Sequence, residues 1–309
     1  MARPFFIDTD TASDDAVALI IALRHPEIEV VGISIVAGNV PLAMGLQNAL
    51  YTAEMCGSLV PIYAGADRPL KRVLATAQNV HGNDGMGDIG LPLSGRLPAN
   101  GDGIDALIAA ANEHAGELTL VTLGPLTNIA HALVRDPSIV EKIKRCVIMG
   151  AAADHIGNVT PVAEFNMWCD PDAVEVVLAS GMNLEFVGWD ISRKYAAISN
   201  AKAETIRLVG TQLARFTIDI QCVVAEFCAN ETHIDGFDLP DPIAMAYAIN
   251  GDIATEVREM YLAIETSSAH TLGMVVMDTL GVTHRKPNAK VVTSADAALF
   301  LSMLVTAVK

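Results

Sequence analysis

Four aspartates, Asp8, Asp10, Asp14 and Asp15, crowd into residues 8–15 of this 309-residue chain. The run reads Asp8-Thr9-Asp10-Thr11-Ala12-Ser13-Asp14-Asp15. Carboxylates this close repel one another, and a cation is the natural way to neutralise them. An all-oxygen donor set favours Ca²⁺ or Mg²⁺ over zinc. A local explanation covers part of the run, because aspartates in the first turn of a helix complement its dipole. That accounts for Asp14 and Asp15. It leaves Asp8 and Asp10, which precede the helix, so the run reads as a functional cluster.

Such a cluster needs elements to hold it. Short apolar, β-branched runs alternate with longer helical patterns along the chain. Residues 5–7 read as a strand, and 13–23 as a helix with Ser13 as its N-cap. Residues 30–36 read as a strand and 41–56 as a helix. Further strands are expected at 118–123, 146–149 and 184–187, with helices beginning near Pro125, Pro171 and Asn200. Strands near 260–264 and 289–292, then a helix from Ser294, close the C-terminal end. Strands so uniformly apolar imply a parallel sheet covered on both faces. No linker, repeat or low-complexity tract interrupts the pattern. The expectation is a single doubly wound α/β domain over residues 1–309, Rossmann-like, with a mainly parallel sheet.

Open α/β sheets bind ligands outside the carboxyl ends of their strands. The polar residues collect there. Asp10 follows the first strand and Asn39 the second. Gly124-Pro125-Leu126-Thr127-Asn128 follows the strand ending at Leu123. Residues 150–166 follow the next, and Asp190 follows the strand ending at Val187.

Composition narrows the function. Apolar residues make up 51% and charged residues 18% of the chain, enough for a sizeable core. The formal charge of −16 repels a phosphate backbone, so a nucleic-acid polymer is excluded as partner. No apolar run approaches a membrane span. The N-terminus reaches the acidic cluster too early for a signal peptide, so a cytoplasmic protein is expected. Cys56, Cys146, Cys169, Cys222 and Cys228 form no CxxC pair and are odd in number. A disulfide framework or zinc site is not expected of them.

A strand followed by Asp-x-Asp also opens the haloacid-dehalogenase-like Mg²⁺ phosphatases. Asp14-Asp15 directly after that motif does not suit them. The signature Asp-x-Asp-x-x-x-Asp-Asp over residues 8–15 instead resembles the inosine–uridine type nucleoside hydrolases. Further segments look like family segments in family order: Ala37-Gly38-Asn39, Ala64-Gly65-Ala66-Asp67-Arg68-Pro69, His81-Gly82-Asn83-Asp84-Gly85, Leu123-Gly124-Pro125-Leu126-Thr127-Asn128 and Ala163-Glu164-Phe165-Asn166.

The resemblance implies hydrolysis of the N-ribosidic bond of a ribonucleoside to free base and ribose, with one bound Ca²⁺. Asp10 matches a calcium ligand that also takes a proton from the attacking water. Asp15, Asp241 and the backbone carbonyl of Leu123 match the other protein ligands. Asp14, Asn158, Glu164 and Asn166 match residues that hold the ribose hydroxyls, and Asn39 one near metal and sugar. His81 and Phe165 fall with the substrate-binding residues. Asn128 reads as a turn or cap residue. A homodimer or homotetramer is the family expectation. The chemistry is consistent: cleavage builds positive charge on the ribose, which a ring of carboxylates and amides stabilises.

The chain departs from the family in one place. The position before Asp241, commonly a histidine that helps protonate the departing base, is Pro240. Either His233 supplies that proton, or the base is stacked on an aromatic such as Phe227, Phe237 or Trp168, or the substrate needs little leaving-group help. A non-catalytic nucleoside- or ribose-binding protein on the same scaffold is the alternative that Pro240 leaves open.

Overall fold

The structure is a computed structural model and describes residues 2–309. Twelve strands run in chain order: β1 (Arg3–Thr9), β2 (Ile28–Ile35), β3 (Ile62–Ala64), β4 (Leu118–Thr122), β5 (Ile143–Met149), β6 (Leu184–Val187), β7 (Ala197–Ile198), β8 (Phe237–Asp238), β9 (Ala254–Met260), β10 (Leu262–Ile264), β11 (Val275–Met277) and β12 (Ala289–Ala295). Eight of them form one sheet in the order β3-β2-β1-β4-β5-β6-β12-β9. Every neighbouring pair in it is parallel except β12 with β9, so the antiparallel strand sits at the edge.

Both faces of the sheet are covered, as the apolar strands require. On β1, Phe5 and Ile7 enter one core, with the helices Ser13–Arg24, Pro240–Ile249 and Ala297–Ala307. Phe6 enters the other, with the helices Gly103–Glu113, Thr127–Arg135 and Pro171–Ala179. The period-two alternation of a strand sends neighbouring residues to opposite cores. Helices 13–24 and 240–249 are apolar nearly all round, which marks a helix buried on every side.

Some expected boundaries move. Ser13 is not the N-cap but the first helical residue. Ala12 holds the cap position, and its backbone N–H donates to Asp15 Oδ2 at 2.9 Å. The helix expected near Pro125 begins at Thr127. The helix expected from Ser294 begins at Ala297, because β12 runs on to Ala295 and Asp296 caps the turn. The strand expected at 260–264 is two strands, β9 and β10, in different sheets. The antiparallel pairs β7–β8 and β10–β11 and the short β3 carry too few residues to show a period in the sequence.

Candidate active site

The strand order reverses between β1 and β4, where β1 leads outward through β2 to β3 and β4 leads the other way. The crevice beyond the carboxyl ends at such a switch point is where doubly wound sheets bind ligands. Asp10 to Asp15 leave the end of β1, Asn39 follows β2, and Leu123 follows β4. The loop after β5 ends in Glu164, the N-cap of the short helix Phe165–Cys169. Asp241 enters from the first turn of helix 240–249.

These elements enclose a cavity of about 280 Å³, at the lower end of the range for small-molecule sites. Asp14, Asn39, His81, Leu123, Asn158, Glu164, Phe165, Asn166 and Asp241 all line it. Asp10 and Asp15 are fully buried and are not among the lining residues, but both bond Asn39, which is. His233 is exposed and outside the lining, in left-handed backbone at φ 57° where the π-helical turn Cys228–Thr232 ends. Thr232, its neighbour, does line the cavity. Of the aromatic candidates, Phe227 lines the cavity. Trp168 instead packs on Phe165 at a ring-centroid distance of 6.4 Å, and Phe237 is buried in the core.

One carboxylate oxygen from each of Asp14, Asp15 and Asp241 lies within 4.8 Å of the others, a separation that one ion can bridge. Asp15 is held by the Thr9 hydroxyl at 2.5 Å and by Asn39 Nδ2 at 3.3 Å. Asp10 Oδ2 accepts from the Asn39 backbone N–H at 2.6 Å, whereas Asp10 Oδ1 is buried without a partner. Asp14 Oδ1 is likewise buried and unpartnered. Two glycines make room for Asp10. A Cβ at Gly38 would overlap Oδ2, and a Cβ at Gly124 would lie 2.6 Å from Oδ1. Asn166 Nδ2 donates to the Leu123 carbonyl at 2.7 Å and so fixes that oxygen at the cavity wall.

Burial dominates the electrostatics. It pushes Asp14 up to about 7 and Asp15 up to about 6, with the Asp14 charge adding to the rise at Asp15. Asp10 and Asp241 rise for the same reason, reinforced by the charge of Asp15. Glu164 rises to about 7 through burial, although the backbone N–H groups of Asn166, Ala151 and Met167 oppose it. Among the described residues, the one basic group in ion-pair range of the cluster is His81, with Nδ1 3.6 Å from Asp14 Oδ1. Burial lowers His81 to about 4, against the opposing charge of Asp15. Buried charges need pairing or a metal. The unpartnered oxygens and the absence of a nearby side-chain cation fit a bound metal ion.

Two sequence readings change here. Asn128 is no turn residue. It is buried, donating Nδ2 to Asp8 Oδ2 at 2.7 Å and accepting the Ala66 backbone N–H at 2.8 Å. Asp8 also takes the Ser34 hydroxyl, so it supports β1 from beneath rather than facing the cavity. Asp190 turns away too, accepting from the Ala153 backbone N–H at 3.0 Å. No pattern in the sequence marks the far wall, where Asn79, Val80, Trp189, Val224, Cys228 and Asp238 line the cavity. These residues carry no motif, and four separate segments supply them.

A doubly wound sheet with a buried carboxylate cluster and amide side chains at its switch point defines an α/β protein that takes a small polar ligand there. Residues 5–302 match the inosine-uridine preferring nucleoside hydrolases, and the chain belongs to that family. It is 37% identical over 306 residues to the pyrimidine-specific ribonucleoside hydrolase RihA of Salmonella typhimurium, covering 98% of this chain and 97% of the relative. Its fold is similar to a plant nucleoside hydrolase, PpNRh1, with a TM-score of 0.92 and 29% identity over 100% of this chain and 99% of that one. It is also similar to a purine-preferring ribonucleoside hydrolase from Gardnerella vaginalis, with a TM-score of 0.91 and 27% identity over 99% and 98% of the two chains. The protein hydrolyses ribonucleosides to free base and ribose. It is neither a phosphatase nor a mere binding scaffold.

Proposed function

We propose that the ion at this site is Ca²⁺, held by Asp10, Asp15, Asp241 and the Leu123 carbonyl, and that Asp10 takes the proton from the attacking water. The observation that carries this reading is the unpartnered Asp10 Oδ1, buried beside three carboxylates whose oxygens converge. An all-oxygen donor set suits calcium. When bound, the ion supplies a positive charge that orients water and sugar hydroxyls. Asp10 remains the base because Ca²⁺ acidifies water only weakly. Asp14, Asn39, Asn158, Glu164 and Asn166 grip the ribose, and His81 and Phe165 complete the substrate wall. As the glycosidic bond breaks, the electron pair stays on the base nitrogen, and the water oxygen bonds to the anomeric carbon. We keep His233 as leaving-group acid for a closed form, since it follows cavity-lining Thr232.

The test is metal analysis combined with a nucleoside panel. Chelation should abolish ribose release, and Ca²⁺ should restore it better than Mg²⁺ or Zn²⁺. Asp10→Asn should lower kcat at least a thousandfold with the fold retained. Turnover near wild type in that variant would remove Asp10 as the base.

Pyrimidine ribonucleosides are the first substrates to assay, because the more similar named relative is pyrimidine-specific. We further infer one domain over residues 1–309, since β1 and β12 share a sheet. A homodimer or homotetramer in the cytoplasm completes the reading. Light scattering on the purified protein and fractionation of cells test these. Among the described residues no helix is long and apolar enough to cross a membrane.

A further inference from the structure

The cavity has two halves. One holds the carboxylate cluster and the amides described above. The rest of the lining includes Val80, Val224, Phe227 and Cys228, with Trp189 and Pro240, and the polar Thr76, Asn79 and Thr232. This second half is where a nucleobase would lie if the ribose sits over the cluster. Pro240 offers no hydrogen-bonding side chain there. Yet one carboxylate lines this half: Asp238, at the end of β8, three residues before Asp241.

Asp238 is 6% exposed, and no Lys or Arg among the described residues makes an ion pair with it. The Ser192 hydroxyl donates to its Oδ2 at 2.6 Å. Ser192 belongs to the helix Trp189–Tyr195, so that element fixes which way the carboxylate turns. The other oxygen, Oδ1, accepts from Cys228 Sγ at 4.0 Å, from a thiol that is a weak donor, and the Trp189 side chain is a further donor to the carboxylate. Both Cys228 and Asp238 line the cavity, so Oδ1 is an acceptor with spare capacity at its edge. A buried carboxylate costs stability unless something donates to it.

We propose that Asp238 is the residue that reads the nucleobase, with Oδ1 accepting an N–H on the base edge opposite the glycosidic bond. The substrates it favours carry such a donor, either an exocyclic amino group or a ring N–H. The inference rests on the placement of ribose over the cluster.

The experiment compares matched nucleosides with and without a base N–H: cytidine against pyrimidin-2-one riboside, and inosine against purine riboside. Wild type and Asp238→Ala are assayed on all four for kcat/KM. A hydrogen bond to a charged acceptor corresponds to roughly ten- to hundredfold discrimination. The ratio of donor-bearing to donor-free substrate should therefore fall about tenfold or more in Asp238→Ala for at least one pair. Asp238→Asn keeps an acceptor oxygen and should restore part of the ratio. An equal loss on all four substrates, or no change in either ratio, overturns the proposal. Should Asp238→Ala fail to fold, Asp238→Asn and Ser192→Ala are read on the same ratios, and unchanged ratios in both overturn it. Wild type that cleaves none of the four would instead refute the placement of ribose and base, a separate failure.

Discussion

Asn128 Nδ2 donates to Asp8 Oδ2 at 2.7 Å, joining residues 120 positions apart beneath the active site. Through this bond the helix Thr127–Arg135 after β4 is tied to β1, and the end of β1 launches Asp10. Burial raises the Asp8 carboxyl to about 7, against the pull of Ser34 and Asn128. Asn128→Ala leaves Asp8 and the Ala66 N–H short of partners in the interior. It should cost about 1–3 kcal/mol of stability, the penalty of an unsatisfied buried polar group. Denaturant unfolding measures this, and a change below about 0.5 kcal/mol would show the bond to be incidental.

Gly124 is small because Asp10 needs the space. Its backbone is not left-handed, so Gly124→Ala adds a steric clash and no backbone strain. The new methyl group would press on Asp10 Oδ1. We expect kcat to drop at least tenfold while circular dichroism stays native. Normal kcat would mean that Asp10 tolerates displacement and that its position is not critical.

Metal removal should make stability depend on pH in a defined direction. Burial raises Asp14 to about 7 and Asp15 to about 6, from an ordinary value of 3.8. A carboxyl with a raised pKa binds its proton more tightly in the folded chain than in the unfolded one. Folding is therefore favoured at low pH and loses stability as pH rises from about 4 to about 7. The chelated protein should show Tm falling across that window, and the Ca²⁺-saturated protein should not. A flat Tm profile after chelation would argue that the cluster does not stay buried without its ion.

His233→Ala separates leaving-group help from the rest of the chemistry. With ordinary nucleosides kcat should fall about tenfold or more, within the usual contribution of a general acid. With an activated riboside such as p-nitrophenyl riboside, the two proteins should match. Equal kcat on ordinary nucleosides would remove His233 from the mechanism.

A control lies at the other end of the sheet. Tyr247 donates its hydroxyl to Glu185 Oε2 at 2.8 Å, and Arg145 pairs with the same oxygen at 2.5 Å. Tyr247→Phe should cost about 1 kcal/mol, a typical net hydrogen-bond contribution, and leave kcat unchanged. A large loss of kcat would reveal coupling between this network and the active site.

The metal and ribose half was legible in the sequence because it is local. Asp10 to Asp15 follow one strand, and Asn39, Leu123 and the residues up to Asn166 follow others in a sheet whose strands show by composition. Parallel-sheet topology then brings those strand ends together. Asp241 was reached only through the family resemblance, since helix 240–249 follows no strand of the parallel sheet.

By itself the sequence determined the α/β class, the acidic cluster and the loss of a histidine at Pro240. Only the tertiary structure decided that Asn128 is a buried tie, that His233 stands outside the cavity and that Asp238 stands within it. The reason is physical. Strand period and charge clustering are properties of neighbours along the chain, whereas the far side of the cavity is assembled from residues 76–81, 189, 224–232 and 238–240. Those segments meet only when helices pack, and packing leaves no fixed spacing in the sequence.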